Sequence, residues 1–594
     1  MFKKLVDILR ALKLRTKILL GLLVVLVSGG LPFAYKMYFS KLPPPLLPSR
    51  EVVYLNQDVL TEAERQRFYH LSQGSQLMPY DWFVALEQGD TEEPFSADDS
   101  MTRFRLIPDS NTVGNPDHLP VGFAKDDPDP VNGVVNVGLT CAGCHTAQMT
   151  YKGTAIRIDG APGMVDFDSF LESMVGSLVV TGASFTLIPG SKFNRFARRV
   201  LKENYSIGKA LKLKADVAKY LFEKKREKDE ERESDKTRGE TATRGGFGRI
   251  DALGSGGNRV YRKLDVRNLR TLNAPVKAVP LWYTHEYNWV QSNGSIRQPM
   301  ARNIIQALAA SASLVLPGDA SRNDRYISSV RLNNMFEIET TLRKFKAPVW
   351  PEKILGQLDA DKVKRGEVIY EKRCAFCHAP QRESQPEPDD AVAVKNNKTF
   401  FVLRMLPLDK IRTDPMDASN FAERTVDASS MQMGERVPGN EVISNVLSGI
   451  LQRQYETLKL PPDKQEEWNG YRANILRSCK GYPARPLAGV WATAPYLHNG
   501  SVPNLYQLLL PEDQRDKRFF TGNVEFDPVN VGYVTGEFPG GFLFDTSIKG
   551  NSNAGHQYGT SLSPEERMDL IEYLKDLKFP ETDYKLVAPT AGCP

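Results

Sequence analysis

The sequence predicts a mainly α-helical chain of two domains, with long loops, few short strands and one membrane-spanning helix ahead of them. Three observations carry this reading. At 594 residues the chain is long enough for two or more domains with ample cores. A Cys-x-x-Cys-His motif occurs once in each half, at Cys141–His145 and Cys374–His378. Capping residues and helical apolar spacing lead into the second motif and close the chain. Lys and Arg number 77 against 72 Asp and Glu, and the mean hydropathy is −0.38. That balance excludes a disordered chain and a polytopic membrane protein.

The net charge of +5 sits at the very start of the chain. Lys3, Lys4, Arg10, Lys13, Arg15 and Lys17, less Asp7, account for it, so the rest is near neutral and nucleic acid is not an expected partner. The apolar run Ile18–Tyr35 follows, and its 18 residues would span about 27 Å as a helix. With the basic flank held inside, the body after Lys36 is expected outside: a single-pass bacterial inner-membrane anchor with a periplasmic body. The alternative is a cleaved signal, leaving a soluble periplasmic or secreted protein. Pro43, Pro44 and Pro45 then make a stiff spacer.

The two motifs have the attachment signature of c-type haem. Two thiols three positions apart can each add to a haem vinyl group, and the adjacent His reaches the iron. Zinc would need two such pairs close together, and a thioredoxin-like pair has no use for the trailing His. Cys141, Cys144 and His145, and Cys374, Cys377 and His378, are therefore read as binding two covalent haem c groups. The fold class becomes two cytochrome c-like haem domains. A Ca²⁺ between them is a further candidate cofactor. Cys479 and Cys593 remain, and in an oxidising compartment they are expected to pair.

We divide the chain into a cytoplasmic basic segment (1–17), the transmembrane anchor (18–35), a Pro-rich spacer (36–49), an N-terminal haem c domain (50–345) and a C-terminal cytochrome c domain (346–594). In the last of these, Asp359 caps a helix from Ala360 to about Lys372 that delivers the chain to Cys374. Ser563-Pro564-Glu565-Glu566 is a capping box, followed by Leu570, Tyr573, Leu574 and Leu577 at helical spacing. The first motif is approached by Gly133, Val134, Val135, Val137 and Gly138, which reads as extended. Residues 222–244 mix both charge signs with almost no apolar side chain, a solvated helix extension or a disordered insertion. No internal repeat is evident beyond the motifs.

The sixth position of each iron is closed by protein for electron transfer or left open for chemistry. His70, His118, His285, His498 and His556 remain as candidate ligands. His556 lies in the Gly-rich loop Gly550–Gly559, which can lay its backbone close to a flat cofactor. His498 lies in the turn-like stretch Ala494–Gly500.

The stretch Trp491-Ala492-Thr493-Ala494-Pro495-Tyr496-Leu497-His498-Asn499-Gly500-Ser501, after Pro486-Leu487-Ala488-Gly489, resembles the second-domain signature of the bacterial di-haem cytochrome c peroxidase superfamily. With the Gly-His-x-x-Gly loop and Trp289-Val290-Gln291-Ser292-Asn293-Gly294, it looks most like the rubber oxygenase branch, whose relatives include di-haem fatty-acid dioxygenases. The resemblance implies that His145 holds a reactive iron with an open face, while His378 and His556 close the second. Where the peroxidase branch can place a Met ligand, this chain has Glu512, which favours His556. Trp289 resembles the distal-side or bridging aromatic, within a cluster of Trp282, Tyr283, His285 and Asn293.

The expected function is an oxidoreductase that activates O₂ at the first haem and oxygenates an apolar unsaturated molecule or lipid, in exchange with a periplasmic electron partner. The alternatives are a peroxidase that reduces H₂O₂, with Glu286 the nearest carboxylate, or a purely electron-transferring di-haem cytochrome.

Overall fold

The computed structural model describes residues 34–37, 42–55, 60–316, 324–580, 582, 584–589 and 592–593. The fold is mixed rather than mainly α, with 40% of the described residues helical and 14% in strands. The strands are two to six residues long and pair mostly two by two. Ladders this short satisfy the backbone of loop-rich stretches without leaving an alternating pattern to read in the sequence.

The approach to the first motif is a strand, Asn136–Leu139, at the centre of a three-stranded antiparallel sheet with Met78–Pro79 and Phe123–Lys125. Only glycine fits at position 138, because a Cβ would stand 2.0 Å from the Ser75 carbonyl oxygen. After His145 the chain runs through a hairpin, Thr146–Tyr151 against Thr154–Asp159, whose second strand also pairs with Glu51–Tyr54 in parallel.

The second motif is delivered by a helix, Ala360–Arg373, started by the Asp359 carboxylate, which accepts from the amides of Asp361 and Lys362 at 3.1 Å. The closing helix, Pro564–Asp576, begins with the expected capping box at Ser563 and Glu566. The two helices cross closely at Gly366, where a Cβ would stand 2.1 Å from the Asp569 carbonyl oxygen. Arg365 clamps the crossing with two bonds to Asp569, at 2.7 and 2.8 Å.

The charged stretch is a helix extension. Ile207–Arg238 is one helix, ended by Gly239 in the left-handed region at φ 64°. Its acidic face docks on the body through Arg262, which reaches Glu230 at 2.6 Å and Glu227 at 3.2 Å.

Packing runs across residue 345. One apolar cluster gathers Cys141 and Ile156 with Tyr370, Ala375, Leu570 and Leu574 around a fully buried Trp491. The Trp491 indole donates to the Pro348 carbonyl at 3.0 Å, tying down the chain between the two motifs. A second cluster joins the helices Pro299–Ala309 and Gly439–Leu458, and a third lies wholly within residues 77–217. Cys479 and Cys593 are disulfide-bonded, with Cα atoms 5.1 Å apart, which pins the chain end.

The membrane anchor is corrected. Among the described residues no helix is long and apolar enough to cross a membrane, so the inner-membrane placement is not sustained. The apolar run itself lies, but for Ala34 and Tyr35, outside the described residues. Tyr35 is seated on the body: its hydroxyl lies 2.6 Å from Ser173 Oγ and accepts from Ser177 Oγ at 3.0 Å.

Gly366→Ala is expected to lower stability by about 1–3 kcal/mol, because a methyl forces the two helices apart. Guanidinium denaturation of the variant against the wild-type protein checks this.

Candidate haem sites

The Ala360–Arg373 helix ends at Cys374, and one further turn carries Ala375 to His378. His378 Nδ1 lies 2.7 Å from the Arg485 carbonyl oxygen. A carbonyl only accepts, so Nδ1 carries the hydrogen and Nε2 keeps its lone pair. Opposite stands His556, its ring centre 6.2 Å from that of His378 and its plane tilted by 54°. Two metal–nitrogen bonds of about 2.0–2.1 Å and two ring radii of about 1.1 Å span about 6.3 Å. The pair is therefore spaced to hold one iron between them. Burial pushes both imidazoles toward the neutral, ligating form, His556 down to about 3.

The loop bearing His556 is fixed from several sides. Gly555 and His556 both have positive φ, 74° and 47°, and a Cβ on Gly555 would stand 2.3 Å from Arg412 backbone. The His556 amide donates to the Ile411 carbonyl at 2.9 Å. Arg515 donates to the carbonyls of Asn553 and Gly555 at 2.6 and 2.9 Å. Glu512 accepts the Gly555 amide at 2.8 Å. The position where the resemblance would put a Met thus carries a carboxylate that fastens the loop of the His. His498 instead stacks on Tyr482, with ring centres 3.8 Å apart, in the wall of the same cavity.

That cavity holds about 330 Å³ and is walled by Cys374, Cys377 and His378 on one side and His556, Leu508, Leu570 and Leu574 on others. Its surface is mainly apolar, but Lys277 and Arg485 also line it. Their ammonium and guanidinium donate to the carbonyls of Thr493 and Gln291, the latter at 2.7 Å, and the ammonium lies 5.6 Å from the centre of the Tyr496 ring. Burial pushes Lys277 down to about 7 and Arg485 to about 10, and Arg485 further disfavours charge on Lys277. Two partly buried cations, with the exposed Arg373 also in the lining and no carboxylate there, suit a flat cofactor with two acidic arms. The donor set, the spacing and the charge all fit haem.

The first motif forms a short turn, Cys141–Cys144, packed so tightly that a Cβ on Gly122 would stand 2.1 Å from Gly143 Cα. Burial pushes the Cys141 and Cys144 thiols up to about 12 and the His145 imidazole down to about 4. The Val279 backbone is the hydrogen-bonding neighbour of the His145 imidazole, in a geometry that leaves Nδ1 without a well-formed bond. Beside this centre lies a buried ion pair of Arg302 and Glu339, with Asn303 donating to the same carboxylate at 2.9 Å. Among the described residues no second imidazole faces His145. His70 is bound to Asp109 at 2.8 Å and to the Phe123 carbonyl at 2.7 Å, His118 to Asp98 at 3.0 Å, and His285 to Glu286 at 3.3 Å.

The aromatic cluster divides. Trp289 is buried between the guanidinium groups of Arg477 and Arg297, at 4.1 and 5.6 Å from its ring, and its Nε1 has no partner. Trp282 lines the His378 cavity, its indole donating to the Ala488 carbonyl at 3.1 Å. It also belongs to the apolar cluster of Cys141, and neighbouring Leu281 donates to Gly160, whose amide donates to His145. Trp282 thus lines the His378 cavity and packs in the apolar cluster that also holds Cys141. Tyr283 stacks on Phe579 at 4.1 Å. Asn293 is buried with its Oδ1 unpaired. Among the described residues no three His, Cys, Asp or Glu side chains gather to hold a metal ion.

The structure also reveals a repeat that the sequence reading missed. Val290–Ile296 and Tyr496–Val502 are the same tight hairpin, each bridged between its first and last residue. Both have positive φ at the second position and at Gly294 or Gly500, and both read Asn-Gly-Ser after the tip. In the second copy, Asn499 and Ser501 hold the His556 loop by bonds to Gly550 and Ser552 carbonyls of 2.9–3.2 Å. In the first, Ser295 Oγ is unpaired as well as Asn293 Oδ1.

His556→Ala is expected to convert the second haem from low-spin to high-spin and shift its potential, since axial ligation sets both. Glu512→Ala removes one charge-assisted bond, about 1.5–3 kcal/mol, and is expected to give a partial high-spin signal. Electron paramagnetic resonance of the oxidised proteins reads both.

Comparison with known proteins agrees with this geometry. The profile of a family described as RoxA-like, cytochrome c-like matches residues 481–520, which include Arg485, the second hairpin, Glu512 and Arg515. It supports a haem-containing, cytochrome c-like oxidoreductase. An uncharacterized protein, y4iM of Sinorhizobium fredii (strain NBRC 101917 / NGR234), is 26% identical over 330 residues, 51% of this chain and 65% of its own length. Another from the same strain, y4iJ, is 34% identical over 607 residues, 94% of this chain and 98% of its own. On that extent of likeness the chain belongs to the same family as y4iJ.

Proposed function

We propose that this protein is a di-haem oxidoreductase that activates dioxygen at His145 to oxygenate an apolar unsaturated substrate, while the His378–His556 centre passes electrons. The observation that carries this reading is an asymmetry: His378 faces a second imidazole at 6.2 Å, and among the described residues none faces His145. A haem at His145 would supply the redox iron for dioxygen chemistry. His145 would hold it from one side in neutral form, with Cys141 and Cys144 as its covalent anchors. Apolar side chains of the cluster that holds Cys141, among them Ile107, Met164 and Phe345, would keep water from such a site and suit an apolar substrate. Trp282 would carry the electron between the centres. Glu286, the carboxylate a peroxidase reading would use, is engaged by His285 and Arg382, each at 3.3 Å, which supports the oxygenase reading over it.

The test has two stages. The oxidised protein is expected to show one high-spin and one low-spin ferric signal; two low-spin signals would argue for electron transfer alone. Incubated in air with cis-polyisoprene or an unsaturated fatty acid, it is expected to consume O₂ and form an oxygenated product by mass spectrometry. His145→Ala is expected to reduce this to background while the second haem still attaches. Oxidation of an electron donor that requires H₂O₂, with no oxygenated product, would replace this reading with a peroxidase.

A further inference from the structure

Ser292, at the tip of the first hairpin, lies in the wall of the His378–His556 cavity. Its hydroxyl donates to Asp417 Oδ2 at 2.9 Å. Asp417 in turn lines a second, polar cavity of about 580 Å³. That cavity opens to solvent past Thr237, Arg238 and Glu423, all exposed. A single hydroxyl thus joins the cofactor cavity to water, with one carboxyl group on the far side of it.

Asp417 is only 4% exposed and, among the described residues, no Lys or Arg pairs with it. Arg238, Arg270 and Arg424 line the same cavity, but the charged groups that act on the Asp417 carboxyl are of its own sign. Asp251 faces it across the second cavity from the start of the helix Ala252–Tyr261, and Asp414 precedes it on its own segment. The Tyr482 hydroxyl packs against it from the strand Gly481–Ala484, accepting the Ala418 amide and donating to the Asp414 carbonyl. Arg424 lies in the same cavity but acts chiefly on Tyr261 and Asp251. Burial, then Asp251 and Asp414, push the Asp417 carboxyl up to about 7. It is poised to change protonation with a modest change of nearby charge.

We propose that Asp417 takes up a proton from solvent when the centre held by His378 and His556 is reduced, and returns it on reoxidation, with Ser292 as the hydrogen-bonded link. The inference rests on the haem reading of that cavity. One electron arrives from an external one-electron donor, a reduced redox protein or an electrode. One hydronium in the second cavity gives its proton to the Asp417 carboxylate, forming an O–H bond and leaving water. The local charge is then unchanged, which matters because an uncompensated charge in an apolar cavity is costly. Added negative charge raises the carboxyl's proton affinity, so reduction is favoured at low pH and the potential falls as pH rises. One proton per electron corresponds to about 59 mV for each tenfold change in proton concentration.

The experiment is a spectroelectrochemical titration of the low-spin haem in the full-length holoprotein between pH 5.5 and 8.5. The wild type is expected to show a falling potential approaching that slope. Asp417→Asn, which keeps an acceptor for Ser292, is expected to flatten it. Asp251→Asn, which removes a like charge, is expected to retain the slope but move it to lower pH. A wild-type slope retained in Asp417→Asn would assign the proton elsewhere, to Lys277 or to the cofactor's own carboxylates, and overturn the proposal. An unmoved pH range in Asp251→Asn would do the same. The covalent haem absorbance of each preparation separates the two readings. Protein without haem at Cys374 and Cys377 defeats the cofactor assignment itself, whereas loaded protein with an unaltered Asp417→Asn titration defeats only the proton assignment.

Discussion

Two imidazole rings held 6.2 Å apart across an apolar cavity are the requirement around which the C-terminal part of the chain is built. Neither ring can choose its own position. His378 is placed by the helix that precedes it, by the crossing of that helix with the closing one at Gly366, and by its bond to the Arg485 carbonyl. His556 has no helix to stand on. It sits at positive φ in a loop, and the backbone strain this carries persists only because Arg515, Glu512, Asn499, Ser501 and Ile411 over-determine it. A ligand on a rigid element faces a ligand on a clamped loop, and the spacing between them is the product of both.

The paired hairpins show how one local shape has been given two tasks. The second copy holds the His556 loop with its Asn and Ser side chains. The first is itself held, Gly294 by Arg477 at 2.9 Å and Gln291 by Arg485 at 2.7 Å, and points Ser292 into the shared cavity. Behind the first copy lies a dense group of buried charges, with Arg297 and Asp390 fully enclosed and 2.5 Å apart. Desolvating such a pair is expensive, and losing one partner would cost about 3–5 kcal/mol. Its return is positional: a stiff backing for the hairpin and for Trp289. The polar path from solvent to the cofactor cavity runs beside this backing, where side chains cannot drift.

The two centres differ in what surrounds them. The His378 cavity is bounded by a second imidazole and by two cations. The His145 centre is bounded by apolar side chains and by a neutral assembly of Arg302, Asn303 and Glu339. Residues of both motifs, Cys141 and Ala375, pack in one apolar cluster with Trp282 and Trp491.

What could be read from the sequence was whatever is local along the chain. The Cys-x-x-Cys-His motifs, the Asp359 cap, the Ser563 capping box and the extended approach to Cys141 are each written within a few consecutive residues, and the structure realises each of them. The flanking glycines singled out the His556 loop, which the structure sets beside His378 at 6.2 Å between ring centres, and the Cys479–Cys593 pairing was legible because no other cysteines remained. The mixed fold was not legible, since two-residue ladders leave no period. Nor were the fastening role of Glu512, the place of Trp282 in the cavity wall, the hairpin repeat or the bridge from Ser292 to Asp417. Each of these joins residues from 43 to 206 positions apart, and cavity walls are assembled from such meetings. Covalent chemistry and helix capping are decided by neighbours in sequence; which side chains face a cofactor, a proton path or one another is decided only when distant segments pack.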